Sequence, residues 1–87
     1  MFIIVVYDFG VKRVAKALKT TRKYLNWVQN SVFEGEISNA NYVKLKKELQ
    51  ALMNPEEDSV IFYTFRTKRY SKREEFGLKK GGDENII

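Results

Sequence analysis

Asn26-Trp27-Val28-Gln29-Asn30-Ser31-Val32-Phe33-Glu34-Gly35-Glu36-Ile37 is the stretch whose reading decides the fold. Its aromatic and β-branched residues suit extended chain, and Gln29-Asn30-Ser31 is the best place for a turn within it. Gly35 falls inside a strand pattern, which suggests a bulge or a close backbone approach. A pair of strands in the middle of the chain makes the segments on either side of it informative. Upstream, residues 11 to 23 have helical period, with Val11, Val14, Ala15 and Leu18 on one side and Lys12, Lys16, Lys19 and Lys23 on another. Before them, Phe2-Ile3-Ile4-Val5-Val6-Tyr7 reads as a strand buried on both faces, stopped by Asp8 and turned at Phe9-Gly10. Downstream, Ser38 is an N-cap candidate, Tyr42, Leu45, Leu49 and Leu52 give a helical stripe, and Asn54-Pro55 ends it. Val60-Ile61-Phe62-Tyr63-Thr64-Phe65 is a further strand, again apolar on both faces.

The order is β-α-β-β-α-β. Its compact solution is an α+β fold, a ferredoxin-like arrangement with two helices on one face of a four-stranded antiparallel sheet. Residues 1–66 form this core, and residues 67–87 form a basic segment and a C-terminal dimerisation tail. Within the tail, Glu74-Glu75-Phe76 is a short edge-strand candidate, Gly81-Gly82 breaks the pattern, and Ile86-Ile87 has no evident core of its own to join.

Composition bounds the chemistry. With 87 residues there is room for one domain, and a chain of this size buries only about 60% of its unfolded surface, so self-association is expected. There is no cysteine and no histidine, which excludes disulfides, thiol nucleophiles, imidazole bases and zinc held by either residue. Catalysis would have to use carboxylates with a hard metal. Sixteen Lys and Arg against eleven Asp and Glu give a net charge of +5, which favours a polyanionic partner. The apolar run at the N-terminus is too short to span a membrane and lacks the flanks of a signal peptide, so a cytoplasmic protein is expected.

Candidate site residues follow from these patterns. Asp8, at a strand end, reads as a hard-metal ligand serving phosphodiester hydrolysis or as the N-cap of the next helix. Tyr7 reads as a contact near a cleft or as core with a wet tip. Lys12, Arg13, Lys16, Lys19, Arg22 and Lys23 lie in a run without an acid, a phosphate track or an ordinary solvated face. Arg66, Lys68, Arg69, Lys72 and Arg73, with Tyr70 among them, form a second basic cluster that offers nucleic-acid contact or guards an edge strand. Ser31 and Phe33 are site-lining candidates, with a turn serine and a core phenylalanine as the plain alternatives.

Val6-Tyr7-Asp8 closing an apolar strand before a basic helix, together with Val28-Gln29-Asn30-Ser31-Val32-Phe33-Glu34-Gly35, resembles the CRISPR-associated Cas-two (Cas2) family. The second stretch is close to that family's hQ.SVFEG signature, and the resemblance covers residues 1–66. Asn26-Trp27 stands where many members carry an arginine. The resemblance implies a homodimer in which each tail strand completes the neighbour's sheet. It implies Asp8 of both subunits at the dimer axis, holding Mg2+ or Mn2+, and metal-dependent endonuclease activity on single-stranded RNA or duplex DNA. It also implies a role in spacer acquisition, bridging dimers of the larger CRISPR integrase protein on duplex DNA. The reading from another class is a generic ferredoxin-like RNA-binding or regulatory module without catalysis, which would present aromatics on the sheet surface as stacking platforms.

Overall fold

A computed structural model describes residues 1–65. The elements are β1 (Phe2–Asp8), α1 (Val11–Arg22), β2 (Asn26–Gln29), β3 (Val32–Glu36), α2 (Asn39–Leu52) and β4 (Ser59–Phe65). They form a four-stranded sheet in the order β2-β3-β1-β4, with every neighbouring pair antiparallel. This is the ferredoxin-like arrangement expected from the sequence. The basic cluster from Arg66 to Arg73, including Lys68 and Arg69, and the expected dimerisation tail lie outside the described residues.

The central hairpin turns through Asn30 and Ser31 between β2 and β3. Asn30 takes a left-handed backbone, φ 42°, which Asn tolerates better than other side-chain-bearing residues because it bonds locally. The bulge falls in β2 rather than at Gly35: the register runs Trp27↔Phe33 and then Gln29↔Val32, so Val28 is the extra residue. Gly35 keeps a regular partner in Ile3. A Cβ there would make only ordinary contacts, with Leu25 Cδ2 at 3.4 Å and Asn26 Nδ2 at 3.5 Å, so what glycine provides is its backbone, φ 158°, which residues with side chains rarely adopt.

Alternation along β1 divides the sheet into two faces. Ile3, Val5 and Tyr7 are buried with Phe33, Ala17, Leu45 and Leu49 in the core beneath the helices. Ile4 and Val6 point the other way and are half-buried. Cross-strand partners share a face, so Ile61, Tyr63 and Phe65 of β4 lie with Val6, Ile4 and Phe2. The expectation that β1 is buried on both faces is therefore corrected: among the described residues only one face is covered by helices, and Ile4 and Val6 on the other stay half-buried.

The contact face of α1 differs from the periodicity reading. Ala17 and Thr21 are fully buried and Leu18 partly so. Val11 is 91% exposed, and Val14 and Ala15 are also exposed. The helix packs through small residues, and Thr21 enters the core because its hydroxyl donates to the Ala17 carbonyl at 2.8 Å, which satisfies the polar atom without water. In α2 the expected stripe holds: Leu45 and Leu49 are buried, Tyr42 and Leu52 pack against the core, and Ser38 caps the helix by accepting the Asn41 N–H at 3.1 Å.

Candidate functional site

Asp8 is the last residue of β1, the central strand flanked by β3 and β4. Its odd-numbered neighbour Tyr7 faces the helices, so Asp8 faces the opposite side of the sheet, on the same face as its β4 partner Ser59. The side chain is exposed. It does not cap α1: the N-cap is Gly10, which has no side chain to offer. The plain capping alternative for Asp8 is thus corrected, because the helix begins two residues too late for it. Its carboxylate stands beyond the Val6–Ile61 pair, at one end of the apolar face.

The other residues named with Asp8 sit differently. Tyr7 is 4% exposed, stacked on Phe33 at 5.9 Å and edge-on to Phe9 at 5.4 Å. Burial pushes its phenol above the ordinary value, so it stays neutral. Phe33 has no exposed surface and is a core residue on the helix side, which places it across the sheet from Asp8. Ser31 is half-buried in the hairpin turn, and its carbonyl accepts the Tyr7 N–H at 3.1 Å, holding the turn beside the end of β1.

As a metal ligand Asp8 is an exposed, hard oxygen donor. Among the described residues no group of three or more acidic side chains is gathered for a cation. One copy thus presents a single carboxylate, and magnesium is usually held by one or two carboxylates with waters and substrate phosphates. The donor chemistry fits Mg2+ or Mn2+ when a second Asp8 or a phosphate completes the set.

The basic helix divides into two groups of cations. Lys12, Lys16, Lys19 and Arg22 are exposed. Lys19 and Arg22 occupy the last turn, where they complement the helix dipole. Lys23 pairs with Glu48, which also accepts from the Tyr24 hydroxyl. The Lys23 ammonium and then the Tyr24 hydroxyl hold the Glu48 carboxyl below its usual range. Arg13 is turned inward: Nε and Nη2 donate to Asp58, and Nη2 also reaches Glu57 Oε1 at 3.0 Å. Of the residues assigned to the phosphate track, Arg13 and Lys23 therefore already have carboxylate partners, and Lys12, Lys16, Lys19 and Arg22 are the exposed remainder.

Asp58 is the residue that sequence reading missed. It is buried at the end of the α2–β4 loop and accepts the Gly10 N–H at 2.7 Å and the Asn54 N–H at 2.8 Å besides Arg13. It satisfies the N–H of Gly10, the N-cap residue itself, and sets a negative charge beside the N-terminus of α1. The available signal was one of charge. α1 has no acid in its first turn, and Glu56-Glu57-Asp58 is an acidic run without a partner of its own.

Residues 1–73 match the family model described as CRISPR associated protein Cas2. The chain is 51% identical over its full length, and over the whole of the relative, to the CRISPR-associated endoribonuclease Cas2 of Dictyoglomus turgidum. It is 52% identical, again end to end in both chains, to the protein of that name from Thermotoga maritima. Among solved structures, one described as a crystal structure of cas2 superposes with a TM-score of 0.85 at 42% identity, covering 100% of this chain and 98% of that one. Streptococcus pyogenes Cas2 gives a TM-score of 0.78 at 30% identity, covering 88% of this chain and all of that one.

Proposed function

Because this chain belongs to the CRISPR-associated Cas2 family, we propose that it acts as a homodimer in CRISPR spacer acquisition. In this reading it binds duplex DNA along the exposed lysines of α1 and bridges dimers of the larger integrase. Its two Asp8 carboxylates share a divalent ion and give it metal-dependent endonuclease activity on RNA or DNA, in keeping with the endoribonuclease name carried by its relatives.

The observation that carries the reading is the position of Asp8: an exposed carboxylate at the end of a central strand, on the face opposite the helices. That face carries Ile4, Val6, Ile61, Tyr63 and Phe65, and Ile61 is 39% exposed. An apolar sheet face of this kind calls for a cover, and a second copy laid on it brings a second Asp8 toward the first across a two-fold axis. A bound divalent ion supplies electrostatic stabilisation of charge building on the phosphate. The chain's own residues do the rest: Asp8 holds the ion in place, Tyr7 and Ser31 brace the strand end behind it, and Lys12, Lys16 and Lys19 attract the polyanion. The test is Mn2+ titration of the dimer followed by electron paramagnetic resonance. Wild-type protein should sequester Mn2+ and Asp8→Asn should not, with DNA binding retained by both. Equal Mn2+ binding by the two proteins would refute the metal assignment.

A further inference from the structure

We propose that Asp58, Arg13 and Gly10 form a latch that positions Asp8. The inference rests on Asp8 as the metal ligand, and it assigns the residues that decide where that carboxylate stands.

The latch grips both chain segments beside Asp8. Asp58 accepts the N–H of Gly10, two residues beyond Asp8, and it directly precedes Ser59, the cross-strand partner of Asp8. Asp8↔Ser59 is the terminal pair of the β1–β4 ladder, where strands fray unless held. One carboxylate takes four donors, two on each oxygen: Gly10 N and Arg13 Nη2 on Oδ1, Arg13 Nε and Asn54 N on Oδ2. Only an ionised carboxylate can accept from all of them. The Asp58 side chain has no exposed surface, and that of Arg13 is 22% exposed. The loop behind is itself tied, with Asn54 accepting the N–H groups of Glu56, Glu57 and Asp58. Gly10 has φ −60°, open to any residue, yet a Cβ there would come within 2.7 Å of Arg13 Nη2. What Gly10 gives is room for the guanidinium. Groups hydrogen-bonded to a metal ligand typically change affinity by about 10- to 100-fold when altered, and the latch, which reaches Asp8 through the backbone, is expected at the lower end of that range.

The experiment measures Mn2+ affinity by paramagnetic resonance and amide exchange by NMR on the full-length dimer, for wild type, Asp8→Asn, Asp58→Asn, Gly10→Ala and Arg13→Lys. Leu45→Ala, a core truncation in α2 that leaves the latch bonds in place, controls for lost stability alone. Gly10→Ala changes no charge and keeps the test valid if Asp58→Asn does not fold. Expected are an Asp58→Asn and a Gly10→Ala protein that remain dimeric, bind Mn2+ about tenfold more weakly, and exchange the Asp8 and Ser59 amides faster than wild type. Leu45→Ala should keep the wild-type Mn2+ affinity. Wild-type affinity in folded Asp58→Asn and Gly10→Ala would overturn the latch while leaving Asp8 as ligand. An equal loss in Leu45→Ala would reduce it to a matter of stability and overturn it too. Undiminished Mn2+ binding by Asp8→Asn would overturn the metal reading itself and take the latch with it.

Discussion

Asp58 shows what one buried carboxylate does to the acid stability of a small domain. The Arg13 guanidinium, foremost, holds its carboxyl far below the usual carboxylate range, with the N–H groups of Asn54 and Gly10 adding to this and burial opposing it. The sign follows from linkage: a carboxyl with a folded pKa below its unfolded value of about 4 stabilises the fold fully above that value. The contribution drains as pH falls toward the folded pKa. Glu48, lowered by Lys23 and Tyr24, works in the same direction. Thermal melts should therefore show a steep loss of Tm in the wild type below about pH 4. Asp58→Asn should melt lower at neutral pH but lose less on acidification, and parallel curves for the two proteins would show that the pair does not set the acid limb. Phe33 offers a separate test at the same scale. With no exposed surface, it should cost about 3–5 kcal/mol when cut to alanine. Chemical denaturation of Phe33→Ala measures this, and a loss under about 1 kcal/mol would return Phe33 to the site surface.

The elements differ in how plainly the sequence announced them. β1 and β4 were legible as short continuous runs of β-branched and aromatic residues, α2 by the strict period of its apolar stripe, and the hairpin and the start of α2 because Asn30-Ser31 and Ser38 are chemically suited to a turn and a cap. The packing face of α1 was not, since its contacts are Ala17 and Thr21, which are small or nominally polar, while Val11 and Val14 satisfy the helical period on the exposed side. Asp8 was legible as a strand-end carboxylate, but its capping alternative could be settled only by knowing that α1 starts at Val11. The latch was illegible because Arg13 and Asp58 are far apart in the chain, and charge pairing carries no period. For the duplex DNA binding proposed for α1, it matters that Lys23 is paired with Glu48 while Lys16 and Lys19 are exposed. Each phosphate neutralised adds roughly −0.9 to the slope of log affinity against log salt. Lys16→Glu and Lys19→Glu should each weaken duplex binding at any sequence and reduce the slope by about 1. Lys23→Gln should change it less, because Glu48 already neutralises that ammonium. A uniform effect of all three in fluorescence anisotropy would mean that the Lys23 pair opens on the DNA.

For the whole molecule the issue is what the face opposite the helices does. Ile61, 39% exposed, shares that face with Val6, so Ile61→Asp places a charge where a second sheet would lie and should drive sedimentation from dimer to monomer mass. A folded Ile61→Asp dimer would exclude this face as the interface. If the dimer forms there, Asp8→Asn separates the two activities proposed for it. The change preserves shape but removes one negative charge from each subunit, and neutral amides are weaker ligands for magnesium than carboxylates. Metal-dependent cleavage should fall to background. Folding should be little changed, because the Asp8 side chain is exposed and caps nothing. DNA affinity should hold or rise slightly, since the exposed lysines remain and repulsion of phosphate is reduced. In the proposed role, bridging would depend on those lysines and on the surfaces that meet the integrase, so spacer integration by the two-protein complex should survive in Asp8→Asn. Loss of integration in a variant that still dimerises, binds DNA and assembles with the integrase would show that the ion at Asp8 serves acquisition itself.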